Sequence, residues 1–194
     1  IPGEVVSVYP FEGVPYEPRG SEVLVAEAEL ARLYPGTQNG LAQCLTALKQ
    51  RGLLPLAMDN PALPYLIRMM GFIQGDGCLQ LEDRGRAQIG LYGEAEDLAT
   101  IRDDIEKIGF RSCKIYERTR DHEIVTRYGR TCFTYTEASV HVGSSALALL
   151  LVGLGTPKGN KAARNFDAPS WLKAAPLWMK RLYLASLFGA ELSA

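Results

Sequence analysis

The sequence predicts an α+β protein: an α-β-β-α-β-β-α unit with an antiparallel sheet, preceded by a small helical segment. Three observations predict it. From residue 61, apolar stretches at helical spacing alternate with pairs of strand-like stretches. Glycines punctuate the boundaries, at Gly75, Gly77, Gly93 and Gly109. Before residue 59, two short helical stretches are separated by Pro35-Gly36, which reads as a hairpin.

The elements follow in order. Residues 4–9 read as a short strand, and the Pro/Gly-rich segment from Pro10 to Gly20 reads as a connector, so residues 1–20 form a first unit. Residues 21–58 form a second, with helices at 24–34 and 39–51. Asn39 is the expected cap of the latter, and Leu41, Leu45 and Leu48 share one of its faces. The pair suits either a DNA-reading helix-turn-helix or a plain hairpin packed on the core. Residues 59–194 form the third unit. Its helices fall at 62–74, 94–108, 144–152 and 176–189, and its strands at 78–82, 86–92, 111–120 and 131–142. Pro176 suits a first helical turn.

Composition is that of an ordinary globular chain: 194 residues, 47% apolar and 22% charged. The net charge of -1 points to no nucleic-acid partner, but its distribution does. Residues 1–30 hold six acids against Arg19, while residues 158–181 hold six bases against Asp167. A local basic stretch binds phosphate even in a neutral chain, and a solvated surface is the alternative. The four cysteines are far apart and neither histidine lies near them, which excludes a zinc motif and gives a disulfide framework no support. No apolar stretch approaches the roughly 20 residues of a membrane span, and the start is no signal peptide, so the expectation is a cytoplasmic protein with no membrane partner.

Two helix ends resemble each other. Met69-Met70-Gly71-Phe72-Ile73-Gln74-Gly75-Asp76-Gly77 and Leu184-Ala185-Ser186-Leu187-Phe188-Gly189-Ala190-Glu191-Leu192 both carry small residues four apart, Gly71/Gly75 and Ser186/Ala190. Small residues at that spacing let two helix backbones approach closely. Both stretches place an acid at their eighth position, Asp76 and Glu191. If the helices pack, the two carboxylates end side by side where both helix dipoles add negative charge. Mg²⁺ suits such a pair, since it takes few carboxylates and fills its shell with water and phosphate oxygens. Asp76 and Glu191 are therefore the candidate metal-ligating and catalytic acids. For each acid alone the plain alternative is a turn cap or an exposed charge.

These two stretches resemble the paired motifs of LAGLIDADG homing endonucleases. The first keeps both helix glycines, the acid and the final glycine; the second departs at Leu192, where the family has glycine. The acids are 115 residues apart, room for one α-β-β-α-β-β-α unit. Residues 53–60 are similar to the lead-in of intein endonucleases, and residues 3–13 to the exit strand of an intein splicing module, in the group that interrupts RNA-ligase genes. The chain begins with neither Cys nor Ser and does not end in His-Asn, so self-splicing is not expected of it.

The resemblance implies a saddle-shaped sheet gripping double-stranded DNA, metal-dependent phosphodiester hydrolysis with Mg²⁺, and a partner in the form of a second LAGLIDADG half. Strand alternation puts Arg86, Gln88 and Tyr92 on one face of one strand, and Lys114, Tyr116, Arg118 and Arg120 on one face of another. Arg and Gln read base edges, and Lys and Arg hold phosphates. The alternative is a sheet with one solvated face. Pro157-Lys158-Gly159-Asn160-Lys161 resembles the family's lysine-bearing loop, which implies a phosphate or catalytic role for Lys161 and then Lys158. Two further expectations compete with an active endonuclease: a DNA-binding transcriptional regulator derived from one, and an inactive intein remnant.

Overall fold

The computed structural model describes residues 20–111, 114–161 and 167–192, with the side chains of 190–192 excepted. The expected strand at 4–9 lies outside these residues.

The chain enters through β1 (Val23–Val25), which pairs antiparallel with β2 (Leu56–Ala57). The expected helix at 24–34 is thus shorter: α1 spans Glu27–Leu33, because the valines before it extend into the two-stranded sheet. In α2 (Gln38–Gln50) Leu41, Cys44, Leu45 and Leu48 are buried, and the Thr37 hydroxyl accepts from the Gly40 N–H at 3.2 Å. Thr37, not Asn39, is the cap, since the helix begins a residue before Asn39.

Helix α3 (Leu63–Gln74) follows, then β3 (Gly77–Leu81), β4 (Ala87–Gly93), α4 (Ala95–Lys107), β5 (Ile115–Thr126), β6 (Gly129–Val142) and α5 (Ser145–Gly153). The order from α3 to α5 is α-β-β-α-β-β-α. Two elements complete the described chain, α6 (Ser170–Ala174) and α7 (Leu177–Leu192). The short α6 carries no pattern that spacing reveals. The main sheet is antiparallel, in the order β3-β4-β6-β5. Leu79, Ile89, Leu91, Ala138, Val140 and Val142 form its buried face, against α3, α4 and α5. The helices before residue 59 also pack on α5, so they share one apolar core with the rest.

Strands β5 and β6 run well past the helical layer. Expected at 111–120 and 131–142, they continue as a two-stranded ribbon to a turn at Gly129 (φ 141°). From Glu117 to Thr136 nearly every ribbon residue is exposed, so no apolar alternation marks where the strands end.

Helix α3 is the centre of the molecule: eight of its 12 residues are buried. Its closest neighbour is α7, where Gly71 meets Ser186 as the small-residue spacing predicts. A Cβ at Gly71 would lie 2.5 Å from the Tyr183 carbonyl oxygen and 3.0 Å from the Ser186 Cβ. The Ser186 hydroxyl donates to the Arg68 carbonyl at 2.7 Å. Midway along α3, Arg68 pairs with the fully buried Asp104 of α4. Burial pushes the Asp104 carboxyl above the usual range, against the opposing pull of Arg68 and Lys107.

Gly71→Ala should force α3 and α7 apart, because the obstructing atom is backbone. We expect a loss of about 1–3 kcal/mol by overpacking, read from urea unfolding, whereas Gly189→Ala, which meets nothing within 4 Å, should cost little. Equal stability of the Gly71→Ala and wild-type chains would show that the helices do not touch there.

Candidate nucleic-acid interface

Register decides which side chains share the uncovered face of the main sheet. Ile115 pairs with Val140 and Tyr116 with Ser139, so the even residues of β5 turn away from the core. They are Tyr116, Arg118, Arg120 and His122. Opposite them stand Ser139, Glu137, Tyr135 and Phe133. Gln88 and Tyr92 of β4 and Gln80 of β3 lie on the same face. Alternation thus unites Gln88, Tyr92, Tyr116, Arg118 and Arg120. Arg86 and Lys114 are exposed but lie just before β4 and β5 begin.

Charge divides between the faces of β5. Arg118 and Arg120 project on the uncovered side, whereas Glu117, Asp121 and Glu123 project on the core side beyond the helices. Arg120 pairs with Glu137 (3.4 Å), whose other oxygen lies 3.8 Å from His122 Nε2. Arg120 is therefore partly neutralised.

Sequence reasoning missed the aromatic part of this surface. His122 stacks on Phe133 (5.3 Å between centroids) and meets Tyr135 edge-on at 6.4 Å. His141 packs edge-on against Tyr92 and lies 3.4 Å from the Gln88 amide. These contacts cross between strands, and only the register, absent from the sequence, reveals them. Burial pushes the Tyr92 phenol up, and the Cys78 thiol beside it adds to the shift.

At the rim of this face α3 ends and Asp76 turns the chain into β3. A Cβ at Gly77 would lie 2.6 Å from the Ile73 Cα, which explains the glycine after the acid. Asp76 is exposed. Its charge reaches Tyr135, whose hydroxyl is pushed up first by its hydrogen bond to Glu94 (3.2 Å) and then by nearby carboxylates, Asp76 among them. The side chain of Glu191, the expected partner of Asp76, lies outside the described residues. Among the described residues no three metal-ligating side chains cluster.

Lys161 reaches the end of α3. Its ammonium donates to the carbonyls of Ile73 (2.8 Å), Gln74 (3.0 Å) and Gly75, closing the C-terminus of α3. Those carbonyls carry the negative end of the helix dipole, which the ammonium partly offsets. The loop bearing it is pinned to the sheet edge by the Gly159 N–H, which donates to Leu79 O at 2.8 Å. Lys158 on that loop is exposed.

No family model and no solved structure matches the chain. Curated relatives do match. It is 41% identical over 192 residues to a tRNA-splicing ligase RtcB from Methanocaldococcus jannaschii and 38% identical over 189 residues to one from Pyrococcus furiosus, each covering 97% of the chain. It is also 28% identical over 195 residues to a DNA-directed RNA polymerase subunit Rpo1N from Methanocaldococcus jannaschii. The chain spans only 19%, 18% and 14% of these three proteins.

These names correct the expected assignment. None of the three is named a homing endonuclease or an intein. The LAGLIDADG family, DNA hydrolysis and the intein setting are overturned on that finding, together with the derived regulator and the inactive remnant. Among the described residues no helix is long and apolar enough to cross a membrane.

Replacing Lys161 tests the helix closure. Lys161→Met keeps the aliphatic stem and leaves three carbonyls without their donor, so we expect a loss of about 1–3 kcal/mol in urea unfolding. An unchanged midpoint would mean that the ammonium is solvated rather than bound to α3.

Proposed function

We propose that the chain is a nucleic-acid-binding segment of a larger polypeptide of the tRNA-splicing ligase type, and that it holds a duplex against the uncovered face of its main sheet. The observation that carries this reading is the division of charge on β5, with arginines on the uncovered face and acids on the other. The matches to tRNA-splicing ligases over 97% of the chain support the setting. RNA joining itself we propose for the whole polypeptide, since this segment is less than a fifth of it.

The ligand we favour is double-stranded DNA. A B-form major groove, about 12 Å wide, admits a two-stranded β-ribbon, whereas the A-form major groove is too narrow for side chains to read. The names of the relatives favour a second reading, in which the same face holds RNA. Tyr116 and Tyr92 are 59% and 44% exposed and would stack on unpaired bases.

Asp76 is the acid we propose as a Mg²⁺ contact, through water and a ligand phosphate rather than as a closed protein site. One carboxylate fits that mode of Mg²⁺ binding. We also propose that further polypeptide covers α7. Leu177, Leu184 and Phe188 form one stripe along it, 53%, 45% and 53% exposed, opposite the face that packs on α3.

Salt-dependent titration of the chain with a DNA duplex, an RNA duplex and tRNA checks the ligand. We expect the DNA duplex to bind, and Arg118→Ala to lower the slope of log K against log salt by about 1. Mg²⁺ should tighten binding in the wild type and not in Asp76→Asn. Preference for tRNA would select the second reading, and absence of all binding at low salt would refute the proposal.

The stripe on α7 is checked by sedimentation. The wild-type chain should self-associate as its concentration rises, and Leu184→Lys with Phe188→Lys should keep it monomeric. A wild type monomeric throughout would show that the stripe seeks no cover.

A further inference from the structure

At the end of α3 remote from Asp76, three helix ends surround a cavity of about 510 Å³. The C-terminal turns of α2 and α4 form two walls, and the N-terminal turn of α3 the third. Two cationic side chains, Arg51 and Lys107, line it, and among the described residues no acidic one does. Gln50, Asn60 and Tyr65 add polar groups.

Arg51 is held rigidly. Its Nε donates to Gly109 O at 2.8 Å and its Nη1 to Ala47 O at 2.7 Å, while the guanidinium lies 4.6 Å over the Phe110 ring. That leaves Nη2 to donate, from a fork whose ordering cost is already met. Asn60 braces the floor: its Oδ1 accepts from Ala62 N–H at 2.9 Å, and its Nδ2 donates to Gly52 O at 2.8 Å.

A basic residue at a helix C-terminus often does no more than satisfy carbonyls. That accounts for two of the Arg51 donors. Lys107, in the last turn of α4, lies over the Tyr65 ring at 5.4 Å. Its nearest acid, Asp104, is 4.0 Å away and already serves Arg68. Two cations thus converge on one hollow; the last turns of α2 and α4 set partial negative charge beside them, and the start of α3 adds partial positive charge.

We propose that this cavity binds a phosphate group. A guanidinium and an ammonium on one phosphate make charge-assisted hydrogen bonds, with the Tyr65 hydroxyl and the Gln50 amide as further donors. The volume lies within the roughly 300–1,000 Å³ of small-ligand sites, so the phosphate arrives attached to a larger group, as part of a free nucleotide or of a polynucleotide strand. The inference does not depend on the duplex reading. The 12 residues of α3 put the cavity about 18 Å from Asp76.

The test follows the Gly52 and Gly109 amide resonances of the whole chain during titration with inorganic phosphate, adenosine 5′-monophosphate, adenosine and a short oligonucleotide. We expect saturable shifts with phosphate, tighter binding of the monophosphate, and about tenfold weaker binding of both in Lys107→Gln. If Lys107→Gln melts early, Lys107→Arg takes its place and should retain binding. Tighter binding of the oligonucleotide than of the monophosphate would make a strand the source, and the reverse a free nucleotide; both support the site. Unsaturable shifts, adenosine binding as tightly as its monophosphate, or undiminished binding by folded Lys107→Gln would overturn it.

Discussion

Backbone contact between α3 and α7 at Gly71 decides where the other elements can sit. A helix with eight buried residues among 12 needs apolar cover on most of its circumference. The sheet, α4 and α7 provide it, and the approach of α7 is close only because Gly71 and Ser186 are small. With α3 fixed in depth, the tight turn at Asp76 and Gly77 sends the chain into β3 at a set position. The remaining strands then pair outward from β3 through β4 and β6 to β5. The ribbon projects from the side of the sheet farthest from that anchor.

Burying a helix end creates an electrostatic demand as well as a packing one. Carbonyls of the last turn have no intrahelical donors, and in a partly buried site water serves them poorly. Lys161 meets that demand from 86 to 88 residues away in sequence. A flexible ammonium with three donors suits three converging carbonyls better than a planar guanidinium does. The same contact holds the loop 157–161 along the exposed edge of β3, where Gly159 occupies a ladder position that would otherwise be open to another strand.

The order of elements was legible in the sequence because glycines and changes of apolar period mark each boundary from α3 to α5. The α3–α7 contact was legible because Gly71/Gly75 and Ser186/Ala190 place small residues four apart, a spacing that lets helices approach closely. The cationic face of β5 was legible from alternation alone, residue by residue from Tyr116 to Arg120. Three features were not. The ribbon beyond residue 120 is exposed on both faces and has no alternation to read. The contacts of His122 with Phe133 and of His141 with Tyr92 depend on register. The role of Lys161 depends on a loop folding back over α3. The family reading failed for a different reason. A small-residue helix face ending in an acid reports how two helices meet, which is a property of fold, and chemistry does not follow from fold.

Net charge gives this molecule no long-range pull on a polyanion, since the whole chain carries only -1. Any attraction must act within about a Debye length, roughly 10 Å at moderate salt. At that range the arrangement on β5 matters more than the total. A strand approaching the uncovered face meets Arg118 and Arg120, both tempered by Glu137, which stands opposite Arg118 in the register and pairs with Arg120. One approaching the reverse of the ribbon meets Glu117 and Asp121, with Glu123 paired to Arg130 at 2.8 Å. The acids thus do half the orienting: they make one side of a thin, doubly exposed ribbon repel phosphate, so a nearly neutral protein still presents a single side to a charged partner.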